Sequence, residues 1–380
     1  MARLKIGHYT LQFTVRMKKY WWKALGAMLV FYTLIMGLAI PMQPALVEQD
    51  SRSLASVKTG QNVTLKAVGY NTFFTKSQGI KAWLTIVDSL RDADGMPNVY
   101  PITAQNVTVS DDRHLETTFT LPQFLPLSST LQDANLVLET TQEGLLLRKT
   151  ALQITQDTVN TTSGRSLWAA DMTLSEPNKK RTAFPNLQLT RESIRNTFFH
   201  VPMWLVMFTL FAGGLYYSIQ YLRKSDMNDD IKALSYTSVG TFFGILGLIT
   251  GGTWANYTWG EPFPIQEIKL LMTYTALAIY FAYFILRGSF DDFEKRARIS
   301  AVYSIFSFAS LVPLLYVIPK LANQSNHPGN GGNSTIAAQD LDNTLRLVLY
   351  PAFIGWILIG LWITQLVVRT AIIKGKILSR

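Results

Sequence analysis

The sequence predicts a polytopic α-helical membrane bundle of six transmembrane helices, with an all-β extracytoplasmic domain inserted between the first and second. Three observations carry that expectation. Six apolar runs, at 24–40, 201–222, 234–254, 270–286, 299–318 and 347–368, have the length needed to cross about 30 Å of hydrocarbon. The long polar stretch between the first two runs alternates with period two. Basic residues gather beside alternate ends of the runs.

Apolar residues make up 48% of the chain and charged residues only 16%, against roughly a quarter in ordinary globular proteins. No Asp, Glu, Lys or Arg lies inside a run. An ionised group at mid-bilayer costs at least about 2.5–3.5 kcal/mol and usually marks an ion path, so its absence argues against an ion- or proton-coupled pump. The chain has no cysteine, which excludes disulfides, thiolate metal sites and thiol chemistry. Its net charge of +10 sits at membrane edges, so the expected partner is the lipid bilayer and not nucleic acid.

Residues 1–41 form a basic segment and the first helix. Arg3, Lys5, Arg16, Lys18, Lys19 and Lys23 meet no acid there, and Tyr20, Trp21 and Trp22 supply an interfacial belt. Such a flank holds the N-terminus in the cytoplasm. His8 belongs to it as a solvated surface residue.

Residues 42–198 then lie outside as a β-sandwich-like domain plus connector. Val63, Leu65 and Ala67 share one face of a strand, as do Ala82, Leu84 and Ile86, and Leu115, Thr117, Phe119 and Leu121. Leu136–Leu138 and Leu145–Leu147 flank Gln142-Glu143-Gly144 as a hairpin. These short strands suggest a sandwich or barrel of roughly 110 residues, followed by a softer connector over 156–197. His114 reads as a solvated turn residue.

Residues 199–380 hold the remaining five helices. The loops expected inside carry Arg223, Lys224 and Lys232, then Arg287, Lys295, Arg296 and Arg298, and the tail carries Arg369, Lys374, Lys376 and Arg380. Those expected outside carry only Lys269, Lys320 and Arg346, which places the C-terminus in the cytoplasm as well. In the third run, Gly240/Gly244 and Gly247/Gly251 are small-xxx-small pairs suited to close helix packing.

The candidate site begins with Phe198-Phe199-His200-Val201-Pro202-Met203-Trp204, where the polar segment meets the second run. Pro202 suits a helix's first turn. The partial positive charge of a helix N-terminus favours the neutral imidazole that a metal ligand must be. Parity brings two more segments to the same membrane face. One is the loop Trp254-Ala255-Asn256-Tyr257-Thr258-Trp259-Gly260-Glu261-Pro262-Phe263; the other is Asn326-His327-Pro328-Gly329. Two of the four histidines thus converge with an aromatic cluster. Taken singly, each histidine is an interfacial or turn residue and the aromatics are a membrane belt. Taken together, they suit a flat, apolar metal macrocycle with axial nitrogen ligands.

At these residues the chain resembles the CcmC family, haem-handling membrane proteins of cytochrome c maturation. The resemblance rests on Phe199-His200-Val201-Pro202-Met203-Trp204, on Trp254-Ala255 with Thr258-Trp259-Gly260, and on the late histidine. It implies haem b as a transient cargo with His200 and His327 as its axial metal ligands. Trp254 and Trp259 would form the platform, joined by Tyr257 and Phe263. The family motif continues with further tryptophans, an Asp and an Arg; here Phe263 takes one aromatic place, and Glu267 and Lys269 that of the acid–base pair. The resemblance further implies a bacterial inner-membrane protein that passes haem to a chaperone of the CcmE type and that is not itself an enzyme. Two alternatives stand beside this. One is a permease subunit working with ABC transporter subunits as a haem exporter, and the other is a maturation scaffold with a vestigial haem site.

Overall fold

The computed structural model describes residues 3–47, 56–91, 97–172, 182–186, 191–322, 325, 327 and 341–378. The chain divides into two compact units, residues 41–186 and residues 1–40 with 187–380.

The first unit is a two-sheet β domain. One sheet has the order β1-β3-β7-β6, from β1 (Ala45–Leu46), β3 (Asn62–Tyr70), β6 (Asn106–Val109) and β7 (His114–Thr120). The other has the order β2-β9-β8-β4-β5, from β2 (Ser56–Lys58), β4 (Lys81–Arg91), β5 (Pro97–Thr103), β8 (Leu131–Thr140) and β9 (Gly144–Thr155). Period-two alternation sends Val63, Leu65 and Ala67 of β3 and Leu115 and Phe119 of β7 into the same core as Leu84, Ile86, Leu136 and Leu152. The 140/144 hairpin closes where the turn residues stand.

The connector is more ordered than its polarity suggests. A short helix, α2 (Thr161–Leu167), is capped by Asn160 and delivers Trp168 into the β core at 1% exposure. Beyond it, the Asp171 carbonyl accepts a hydrogen bond from Trp83 Nε1 (3.1 Å). This explains why Trp83, on the face of β4 turned away from the core, is also buried. Phe184 is fully buried and exchanges backbone hydrogen bonds with the stretch at Pro41–Gln43.

Among the described residues, the second unit holds six helices long and apolar enough to cross a membrane. They are α1 (Arg3–Ala39), α3 (Thr197–Lys224), α4 (Met227–Trp259), α5 (Ile268–Gly288), α6 (Phe293–Val312, continued by a π-turn and the short α7, Ile318–Ala322) and α8 (Asn343–Leu378). Helix α3 is the hub, packing on α4, α6 and α8. Met203, Val206, Met207, Leu210 and Phe211 meet Phe243 of α4 and Leu277 and Tyr280 of α5; Phe211 and Tyr280 stack with centroids 3.6 Å apart. Helix α1 lies along α8 where glycines permit it: a Cβ on Gly26 would stand 2.8 Å from Leu358, and one on Gly355 would stand 2.9 Å from Leu29.

Two expectations are corrected at helix ends. Helix α3 is preceded by a 3-10 turn over Arg191–Asn196, so Pro202 is its sixth residue and lies beyond the first turn. Helix α4 runs on to Trp259, because nothing before Gly260 and Pro262 breaks it, so Trp254, Tyr257 and Trp259 are helical and not in a loop. Gly260, at φ 77°, ends it in the left-handed conformation that glycine adopts without steric cost.

Arg195 joins the ends of α1 and α3. Its Nη1 donates to the carbonyls of Gly37 (2.6 Å) and Ile40 (2.9 Å), groups that a helix terminus leaves without partners. At the far end of the bundle, Arg287 forms a two-pronged pair with Asp230 (2.8 and 2.5 Å), and Lys232 pairs with Asp229 (2.9 Å).

Candidate functional site

His200 sits on the first turn of α3, facing α4. The glycines of α4 make room for it. A Cβ on Gly251 would lie 2.7 Å from His200 Cε1, and one on Gly247 would lie 2.8 Å from the Trp204 indole. The stripe that reads in the sequence as a packing motif therefore seats the imidazole and the tryptophan one turn below it. His200 Nδ1 lies 3.1 Å from the Gly247 carbonyl and 3.3 Å from Thr250 Oγ1, and Trp204 Nε1 donates to His200 Nε2 at 3.2 Å. The carbonyl requires the proton on Nδ1, which leaves a neutral ring whose Nε2 lone pair accepts the indole N–H. A histidine held by a backbone carbonyl at one nitrogen presents the other in the form a metal takes.

His327 arrives from the segment after α7. Its ring centroid lies 6.3 Å from that of His200, 6.1 Å from Trp254 and 6.5 Å from Trp259, while the two tryptophans meet edge-on at 5.0 Å. Lys269 Nζ donates to His327 Nδ1 (3.2 Å), and the His327 backbone N–H donates to Ser325 Oγ (3.2 Å). Ser325 in turn donates to Glu267, which caps α5 by accepting from Lys269 N–H. A short relay of Glu267, Ser325 and Lys269 thus ties the start of α5 to the second histidine.

Four of the six expected site residues, His200, His327, Trp254 and Trp259, are brought together. Phe263 folds its ring over Gly252 of α4, where a Cβ would come within 2.5 Å of it, and among the described residues no ring contact joins it to either histidine. Tyr257 is 64% exposed, and among the described residues no ring contact joins it to the pair. The proline and glycines at 328–332 lie outside the described residues. Sequence reasoning missed Trp204 as a partner of His200, although their spacing of four on one helix is the spacing of side-chain neighbours. Ser325 carried no comparable signal.

The donor set fits a metal macrocycle. With metal–nitrogen bonds of about 2 Å, two imidazoles on opposite sides of one metal place their ring centres about 6 Å apart, as these two are. Against that geometry, the model of the cytochrome c assembly protein family matches residues 145–327. Through this segment the chain is similar to the cytochrome c assembly proteins. The match runs from β9 to His327, so it takes in helices α3 to α7 and both histidines. The resemblance read at residues 199–204 and 254–260 is borne out at the level of family, and the match supports a role in cytochrome c maturation, a process that involves haem. Comparison with curated proteins finds no match.

Proposed function

We propose that this protein holds haem at one end of its membrane unit, between His200 and His327, and presents it to a haem chaperone of the CcmE type. The observation that carries the reading is the 6.3 Å approach of two imidazoles supplied by elements far apart in sequence, with Trp254 and Trp259 beside them. The bound species is haem b, and the chain contributes ligation, an apolar platform and orientation without chemistry of its own. On this reading the histidine-bearing end and the β domain face the extracytoplasmic side and both termini face the cytoplasm, as the loop charges indicate.

In the unliganded arrangement both imidazoles already accept N–H donors, from Trp204 and Lys269. Binding exchanges those contacts for iron, which keeps the rings neutral and positioned while they wait. The permease alternative is less well supported, because the bundle around α3 is filled by Met207, Leu210, Phe211 and Tyr280. Lys232 and Arg287, basic residues of the loops that an ATPase subunit would have to contact, are engaged by Asp229 and Asp230.

The test is the visible spectrum of the full chain purified after haem-replete expression. A Soret band is expected, and it is lost in both His200→Ala and His327→Ala. Wild-type protein without haem overturns the proposal and favours the scaffold alternative.

A further inference from the structure

At the end of the bundle remote from the histidines, α1, α3, α4 and α8 enclose a groove of about 480 Å³. Aromatic, charged and amide side chains line it: Trp22, Tyr217 and Tyr236, with Lys232, Arg369 and Gln365. Its floor is apolar, formed by Leu358 and Leu361 on α8. Beside Trp22, Lys23 holds its ammonium 5.3 Å from the Trp22 ring centroid and 5.4 Å from that of Trp362.

The charges here are not balanced within the protein. Lys232 is offset by Asp229, but Arg369 and Lys23 have no carboxylate partner among the described residues. Gln365 presents an independent sign of a missing partner. The residue lines the groove, and its Oε1 is buried without a hydrogen-bond partner among the described residues. A buried acceptor left unmade costs about 1–3 kcal/mol, so a native site normally supplies a donor.

These features describe an amphiphile with a negative head, a hydroxyl or other N–H or O–H donor and an apolar tail. We propose that the groove binds one anionic phospholipid. Its phosphate lies beside Arg369, the Gln365 amide turns to meet a headgroup hydroxyl, and an acyl chain runs along Leu358 and Leu361. Basic pockets between spanning helices bind anionic headgroups by this combination of fixed charge and apolar wall. Because α1 and α8 both border the groove, the lipid also links the first helix to the last.

Native mass spectrometry of the full-length protein, delipidated and then offered phosphatidylglycerol or phosphatidylcholine with the same acyl chains, tests this. One phosphatidylglycerol per chain is expected to be retained several-fold better than phosphatidylcholine. Arg369→Gln is expected to lower that retention about five-fold, the effect of one cation near a membrane surface. Gln365→Leu is expected to abolish discrimination between phosphatidylglycerol and phosphatidylmethanol, a phosphodiester of the same charge without the hydroxyl. Unchanged thermal unfolding of both variants separates loss of the site from loss of the fold. Equal retention of both lipids, or retention indifferent to Arg369, overturns the proposal. So does displacement of the lipid by haem at equal concentration, which would make the groove a cargo site.

Discussion

The two ends of the membrane unit treat buried polar groups in opposite ways. At one end, charge meets charge: Arg287 with Asp230 at 2.5 Å and Lys232 with Asp229 at 2.9 Å, with little of Asp229, Asp230 or Arg287 exposed. At the other end, single N–H donors from Trp204 and Lys269 each hold one nitrogen of a neutral imidazole. A buried ion pair cannot be opened cheaply, since each freed charge bears its own desolvation cost. A hydrogen bond to a ring nitrogen is worth about 1 kcal/mol net, and a metal displaces it. One end is therefore built to stay shut and the other to exchange partners.

The sharpest way to break that contrast is at the closed end. Asp230→Ala leaves the largely buried Arg287 without its carboxylate partner, and should cost about 3–5 kcal/mol of stability. The measurement is unfolding of the detergent-solubilised protein. Pairing the change with Arg287→Met should recover most of the loss, because the orphaned charge goes with it. If Asp230→Ala unfolds at the wild-type midpoint, the pair is not a clamp and the comparison between the ends fails.

A smaller effect is expected at the seat of His200. Gly251→Ala introduces a Cβ 2.7 Å from His200 Cε1, and overpacking of this kind costs about 1–3 kcal/mol. Haem retention should fall roughly tenfold while the spans remain folded. Gly288→Ala is the control, since nothing lies within 4 Å of the added atom. Equal behaviour of the two variants would show that α4 is not what positions the imidazole.

Much of this was legible in the chain, for reasons that are themselves physical. A lipid environment forces every backbone group to find its partner within a helix, so each span must be a long apolar run and is seen as one. The strands of the β domain announce themselves because one face is wet, as in the strict alternation of β3. The ends of elements were harder. The Trp-rich stretch reads as a loop because it is aromatic and follows an apolar run, yet tryptophan and tyrosine sit comfortably in a helix, and only Gly260 stops it. The connector hid Trp168 and Phe184, each a single buried aromatic with no periodic neighbours to reveal a face. At the site, residue types and membrane side suggested that His200 and His327 converge, but not what holds their nitrogens. Glu267, Ser325 and Lys269 meet only after α5 and the segment beyond α7 come together, and no spacing encodes that.

The subtlest test concerns the donor that His200 now accepts. Trp204→Phe removes the N–H directed at His200 Nε2 and shortens the ring that lies against Gly247. If the indole competes with iron for that lone pair, the variant should bind haem about five-fold more tightly, the worth of one hydrogen bond. Haem titration followed at the Soret band measures it. Its sign matters more than its size: an indole that merely props up the ring would give weaker binding when shortened, and one irrelevant to it would give none of either. Tighter binding alone means that the protein restrains its own ligand, at a cost small enough for haem to overcome and for a chaperone to exploit on release.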